Sequence, residues 1–137
     1  MRRYFLAAVA VIVAVVIYVT PVFSGSNGIH WLYSYDQALQ MSKSTGKTLM
    51  IYFYTDWQEW CKKMDEETFA NPDVVEMSEK FVCLRVNSEK EQALAGKYHA
   101  KASLTIIFIQ TSGIETNRVI SFSPAGNFLK EMQKAVR

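Results

Sequence analysis

Thr48 to Thr55 reads TLMIYFYT, eight residues in which apolar, aromatic and β-branched side chains run almost without a break. A strand with one wet face alternates, so an unbroken run predicts a strand covered on both faces, and with it a central sheet carrying helices above and below. Leu104 to Ile109 (LTIIFI) repeats the pattern, and Phe81 to Val86 (FVCLRV) supplies another strand with partial alternation. Helix signals stand between these runs. Ser34 with Gln37 resembles a capping box, opening a helix over Ala38, Leu39 and Met41 that stops at Gly46. Asp56 with Glu59 is suited to cap a second helix bearing Trp60, Met64 and Phe69 on one face, and Asn71-Pro72 restarts the chain with Pro in the first turn. Ser88 caps a helix through Tyr98, Thr111-Ser112-Gly113 turns the chain into Thr116 to Phe122, and Ser123-Pro124 opens a final helix with Phe128, Leu129 and Met132 inward. The order α-β-α-β-α-β-β-α defines an α/β class, a mixed sheet of about four strands flanked by helices on both faces.

Length and charge narrow the function. At 137 residues the chain builds one core and no more. Fifteen basic residues oppose thirteen acidic ones, and once Arg2 and Arg3 are set aside the remainder balances, which leaves no electrostatic footprint for nucleic acid. Cys61 and Cys83 are the two cysteines, too few for a disulfide scaffold. No CxxC or Cys/His array supplies a zinc site, so neither a metal nor any other cofactor is expected.

Residues 4–23 form a run of twenty without a charge. As a helix they would extend roughly 30 Å, about one hydrocarbon core. Arg2 and Arg3 precede the run and Asp36 is the next charge, so the positive-inside bias puts the N-terminus in the cytoplasm and the rest outside it, on the periplasmic side in a bacterium. The expected organisation is a transmembrane anchor over residues 1–23, a flexible linker over 24–29 and a domain over 30–137. A cleaved signal peptide ending at Val22-Phe23-Ser24 is the alternative, although the run exceeds the ~7–15 residues of such segments. Ala7, Ala10 and Ala14 place small residues along the run, a pattern that permits close packing on another membrane subunit.

The stretch TDWQEWCKKM, Thr55 to Met64, sits where a buried strand hands over to a helix, the position at which an open α/β sheet presents a site. Together with Thr68, Phe69 and Asn71-Pro72-Asp73-Val74, it resembles the signature D-W-C-x-W-C-K-K-M-x-x-x-T-F, followed by D-P-x-V, of the thioredoxin-like proteins of the extracytoplasmic branch. The resemblance covers about residues 34–137 and implies a thioredoxin-like fold. It also implies three departures. The first cysteine of the family's CxxC falls on Gln58, and an amide cannot attack a disulfide, so only the resolving position, Cys61, is kept. Leu104, after Ser103, stands where the family places a cis-proline facing the site, and a trans peptide is expected there. Tyr52 replaces a buried proton-relaying carboxylate found in many active members.

Each candidate residue has a plainer role as well. Cys61 lies in the first turn of a helix beside Lys62 and Lys63, which favours a thiolate, yet such cysteines are commonly shielded and inert. Cys83 reads as apolar filler within a strand, and a bond between the two cysteines is not expected. Trp57 and Trp60 flank the site; the resemblance puts Trp57 on an exposed rim touching client proteins, while Trp60 shares a helical face with Met64 and Phe69 and fits core packing. Asp56 and Glu59 read as helix caps rather than an acid and base pair. His30 and His99 are isolated, and no spacing joins either to Cys61 and Met64 as a copper site.

The expected function is a redox-inactive, membrane-anchored protein that binds a protein partner or integral membrane subunits as an accessory subunit. Trp57, Gln58, Glu59, Trp60, Ser103 and Leu104 form its contact surface. The enzymatic alternative is a monothiol oxidoreductase or isomerase using Cys61, and a weaker one is a metal or cofactor chaperone.

Overall fold

The computed structural model describes residues 27–101 and 104–136. The predicted anchor over residues 1–23 lies outside them, as does the first half of the predicted linker, residues 24–26. Among the described residues no helix is long and apolar enough to cross a membrane. The described chain holds a mixed sheet of five strands in the order β1-β3-β2-β4-β5. These are β1 (Trp31–Leu32), β2 (Thr48–Tyr54), β3 (Phe81–Asn87), β4 (Thr105–Ile109) and β5 (Glu115–Ile120). β1, β2 and β3 are mutually parallel, while β4 and β5 are antiparallel to their neighbours.

The sequence pattern accounts for about four strands, and the fifth is β1. Two residues are too few to show a period, and Trp31-Leu32 becomes strand only by pairing with Cys83 and Leu84 on the edge of β3. Ile29, just before it, packs against the core.

β2 explains the layering. Leu49, Ile51 and Phe53 enter the cluster under α1 (Tyr35–Thr45) and α4 (Gln92–Lys97), with Ala38 and Ala95 letting those helices come close. Met50 and Tyr52 point the other way, into the cluster with Met64, Phe69, Val74, Phe128 and Met132. Those residues come from α2 (Glu59–Lys63) and the π-helical turn Met64–Thr68 that continues it, from α3 (Pro72–Ser78) and from α5 (Ala125–Ala135). Both faces of β2 are dry, as an uninterrupted apolar run requires.

The caps divide into those read from sequence and those not. Ser34 accepts from the Gln37 backbone N–H, and Gly46 closes α1 at φ 71°, a left-handed conformation that glycine adopts at little cost. Asn71 caps α3 by accepting from the N–H groups of Asp73 and Val74, with Pro72 in the first turn. Neither Asp56 nor Glu59 caps α2, whose N-cap is Gln58 with no side-chain bond to the helix's backbone N–H groups. Ser88 does not cap α4 either. It is buried and donates to the Ala100 carbonyl at 3.4 Å, and Asn87 takes the capping part in the preceding turn by accepting from Glu89 and Lys90 N–H.

β5 is an edge strand with an exposed face. The Arg118 N–H is taken by the neighbouring Asn117 Oδ1 at 2.8 Å, the Arg118 guanidinium is bound to Glu115, and the β4 pairing shifts register at Phe108/Ile109.

Candidate functional site

Since β2 and β3 are parallel, their carboxyl ends lie together, and the turn from Thr55 to Gln58 leads from one of them into α2. Gln58 is half-buried at the N-cap, and its carbonyl accepts from the N–H groups of Cys61 and Lys62 at 3.1 and 3.3 Å. That turn folds the Gln58 side chain back over Cys61. The Cys61 thiol donates to Gln58 Oε1 at 3.5 Å, and Cys61 is only 2% exposed. An amide therefore occupies the place from which a second thiol would reach Cys61.

Beneath them, the hydroxyl of buried Tyr52 donates to the Cys61 carbonyl at 3.3 Å. Burial, reinforced by the charge of Asp65, pushes the Tyr52 phenol well above its ordinary range, so it stays neutral and acts as a donor. Through that bond it braces the start of α2.

Arg85 closes this floor, and nothing in the sequence reading singles it out. Its guanidinium makes two parallel hydrogen bonds to Asp65 at 2.7 and 2.8 Å and stacks over Tyr54 at 4.2 Å and Tyr52 at 5.1 Å. Burial works against its charge, but Asp65 outweighs burial and holds the guanidinium firmly protonated. The signal was a lone cation within the apolar run FVCLRV, which demands a partner.

Asp65 lies in a stretch where the helix widens. Phe69 N–H bonds to Met64 C=O, five residues back, and this π turn is the reason for the five-residue gap between those two apolar side chains. Trp60, one regular turn before Met64, lies on the margin of their face. Met64 and Phe69 are buried, whereas Trp60 is 55% exposed and stacks on Phe122 at 6.0 Å with Lys63 Nζ above both rings. The core-packing reading of Trp60 is thereby corrected.

Trp57 is 68% exposed, and its indole N–H donates to Glu89 Oε1 at 2.6 Å. The Glu89 loop is in turn tied to the site through Asn87 Nδ2, which donates to Asp56 Oδ2 at 3.3 Å. Glu59 is exposed beside Trp60. Leu104 is buried in the same cluster as Cys61 and Tyr52, and its carbonyl accepts from Ser121 N–H at 2.9 Å. Ser103, and with it the Ser103–Leu104 peptide, lies outside the described residues. The structure thus brings together Trp57, Gln58, Glu59, Trp60, Cys61 and Leu104, while His30 and His99 belong to neither wall. Among the described residues no group of three His, Cys, Asp or Glu side chains is placed to hold a metal.

Both cysteines are free and buried. Cys83 lies in β3 with its thiol at 3.7 Å from the Ser78 carbonyl, and burial pushes that thiol up to about 12. An unfolded thiol ionises near ~8.5, so above that pH the unfolded chain sheds a proton that the folded chain keeps. Stability carried by Cys83 is complete below that pH and is lost as pH rises toward 12. Urea unfolding between pH 8 and 11 should show the decline, with a shallower slope in Cys83→Ala; equal slopes would exclude the effect.

Comparison with known proteins agrees with this fold. A family model described as Thioredoxin-like matches residues 30–111. The thiol:disulfide interchange protein DsbD of Tatumella citrea is 29% identical over 105 residues, which are 72% of this chain and 18% of that protein. DsbD of Klebsiella pneumoniae subsp. pneumoniae is 34% identical over 99 residues, 68% of this chain and 16% of that protein. The chain therefore spans less than a fifth of the length of these curated relatives. Among solved structures, a thioredoxin from Thermus thermophilus matches at a TM-score of 0.69 with 28% identity, over 77% of this chain and 85% of that one. The C-terminal domain of Neisseria meningitidis DsbD, in its oxidised form, matches at 0.63 with 19% identity, over 76% of this chain and 98% of that one, a likeness of fold.

Proposed function

From the premise that this chain belongs to the thioredoxin-like family, we propose that it is a member that binds a protein partner and does not turn over disulfides. In this reading, residues 4–23 anchor it as a single-pass protein with its domain on the extracytoplasmic side, and it serves as an accessory subunit of a membrane complex. The observation that carries the reading is the Gln58 amide at 3.5 Å from a buried Cys61. Disulfide exchange needs an accessible thiolate to attack and a second thiol to resolve the mixed disulfide, and this turn supplies one shielded thiol. What remains suits contact. Trp57 is a large amphipathic ring held in place by Glu89, so little side-chain freedom is lost when a partner covers it, and Trp60 with Phe122 offers a second aromatic surface nearby.

A second reading has its own support: Cys61 is retained at a helix start and the curated relatives are named as thiol:disulfide interchange proteins. There the Cys61 thiolate would attack a client disulfide, expel one client thiolate and await release by an external thiol. The full chain, purified from its membranes in mild detergent, separates the two. Under the binding reading Cys61 labels only after denaturation, insulin disulfides are not reduced, and Trp57→Ala weakens co-purification of the partner at least about tenfold. Turnover that disappears in Cys61→Ser would transfer the protein to the second reading.

A further inference from the structure

β1, β2 and β3 all begin at one end of the sheet, where Trp31 lies opposite Cys83 and Thr48 opposite Phe81. The chain enters its described part at that end, remote from Gln58 and Cys61. The same end gathers Lys43 in the last turn of α1, Lys47 ahead of β2, Lys80 ahead of β3, and the turn with Ile114 that follows β4. It also holds the close of α5, with Lys134 and Val136, where the Ala135 carbonyl accepts from Thr48 Oγ1 at 3.5 Å. Met41, Ile114 and Val136 are exposed there. Of the acids at this end, Glu115 is paired with Arg118 and Glu131 with Lys134. Glu79 and Glu76 are exposed, and Lys47 Nζ donates to the Glu79 carbonyl at 2.7 Å.

Exposed apolar side chains together with lysines at one end of a domain are the composition of a surface that lies on anionic headgroups. The sequence adds a tether. From Phe23, the last residue of the uncharged run, to Asn27 is four residues, which reach at most about 14 Å when fully extended. We infer that this end of the domain rests on an anionic lipid surface, with Lys43, Lys47 and Lys80 over the headgroups and Met41, Ile114 and Val136 in the interfacial layer. The inference rests on the anchored reading of residues 4–23. It directs the Trp57 and Cys61 site away from the bilayer by the length of β2, whose seven residues span roughly 23 Å.

The test uses the full chain reconstituted into vesicles of phosphatidylcholine with or without 30% phosphatidylglycerol. Bimane is placed on Ser44→Cys, at the lysine-bearing end, or on Glu91→Cys, beyond the far end of β3; Cys61 and Cys83 are buried and stay unlabelled in the folded protein. A nitroxide on the lipid headgroup should quench the Ser44→Cys label at least about threefold more than the Glu91→Cys label in the anionic vesicles. That difference should shrink in 0.5 M salt, and in Lys43→Gln combined with Lys80→Gln. Equal quenching of both labels in a chain that resists alkaline carbonate overturns the inference and leaves the anchor standing. A chain released by carbonate overturns the anchored reading and the inference together.

Discussion

Gln58→Cys should convert the protein into a disulfide reductase. Residues 58 and 61 share the first turn of α2, and the side chain at 58 already contacts the Cys61 thiol at 3.5 Å. With sulfur at both positions, the introduced thiolate would attack a client disulfide and expel one client thiolate. Cys61 would then displace the second client sulfur and close a bond to the new one, and dithiothreitol would return both to thiols. The position at a helix start favours the thiolate form of the introduced group. Insulin reduction with dithiothreitol, corrected for the uncatalysed rate, should rise at least about tenfold over the unsubstituted chain, because position 58 then supplies a thiolate in place of an amide. Leu104 and Tyr52 remain, so Leu104→Pro added to Gln58→Cys should raise the rate further. No gain from the single substitution would mean that the missing sulfur is not what silences the site.

That site was legible in part because two kinds of signal were present. The dry strands announced themselves by composition, and Ser34, Gly46, Asn71 and Pro72 marked helix ends through backbone chemistry that operates locally. Gln58 and Cys61 could be placed three apart on one turn for the same reason. What escaped depends on contacts far apart in sequence. β1 exists through its pairing with β3, and the Asp65 to Arg85 pair joins a helix to a strand twenty residues on. The spacing of Trp60 allows both core packing and a contact surface, and its exposed ring is held by stacking on Phe122, far away in sequence. The five-residue step from Met64 to Phe69 was the visible trace of the π turn. Glu89 and Asn87, which hold Trp57 and its turn, sat in a polar stretch indistinguishable from any solvated loop.

Asp65→Ala should be the most damaging single change outside the apolar core. It removes both hydrogen bonds from a guanidinium that is largely enclosed by Tyr54, Tyr52 and Trp31, leaving a cation that cannot be deprotonated and has no carboxylate to face. Breaking such a pair from one side costs about 3–5 kcal/mol when it is fully buried, and the partial exposure of Asp65 brings the expectation to roughly 2–3 kcal/mol. Urea unfolding would show this directly, and the melting temperature should fall by roughly 10–15 °C. Arg85→Met in the same chain should recover much of the loss, since an apolar side chain then fills the ring cluster without a stranded charge. A loss below about 0.5 kcal/mol would class the pair with ordinary surface ion pairs. The expected casualty within the site is the π turn, because Asp65 is the residue through which Arg85 grips it.

The small hydrogen bond from Arg118 N–H to Asn117 Oδ1 matters most when copies of the chain are brought close together. An outermost strand with free backbone groups is a template onto which another chain can crystallise its own, and confinement of many copies in a shared layer multiplies the encounters. Here one such donor is answered by the residue next to it, the paired charges of Glu115 and Arg118 stand along the margin, and the register shift against β4 interrupts its regularity. Neighbouring molecules would find this border a poor template for adding a strand. The price in regular pairing is one irregular step in a hairpin, and what it secures is a crowd that stays dispersible.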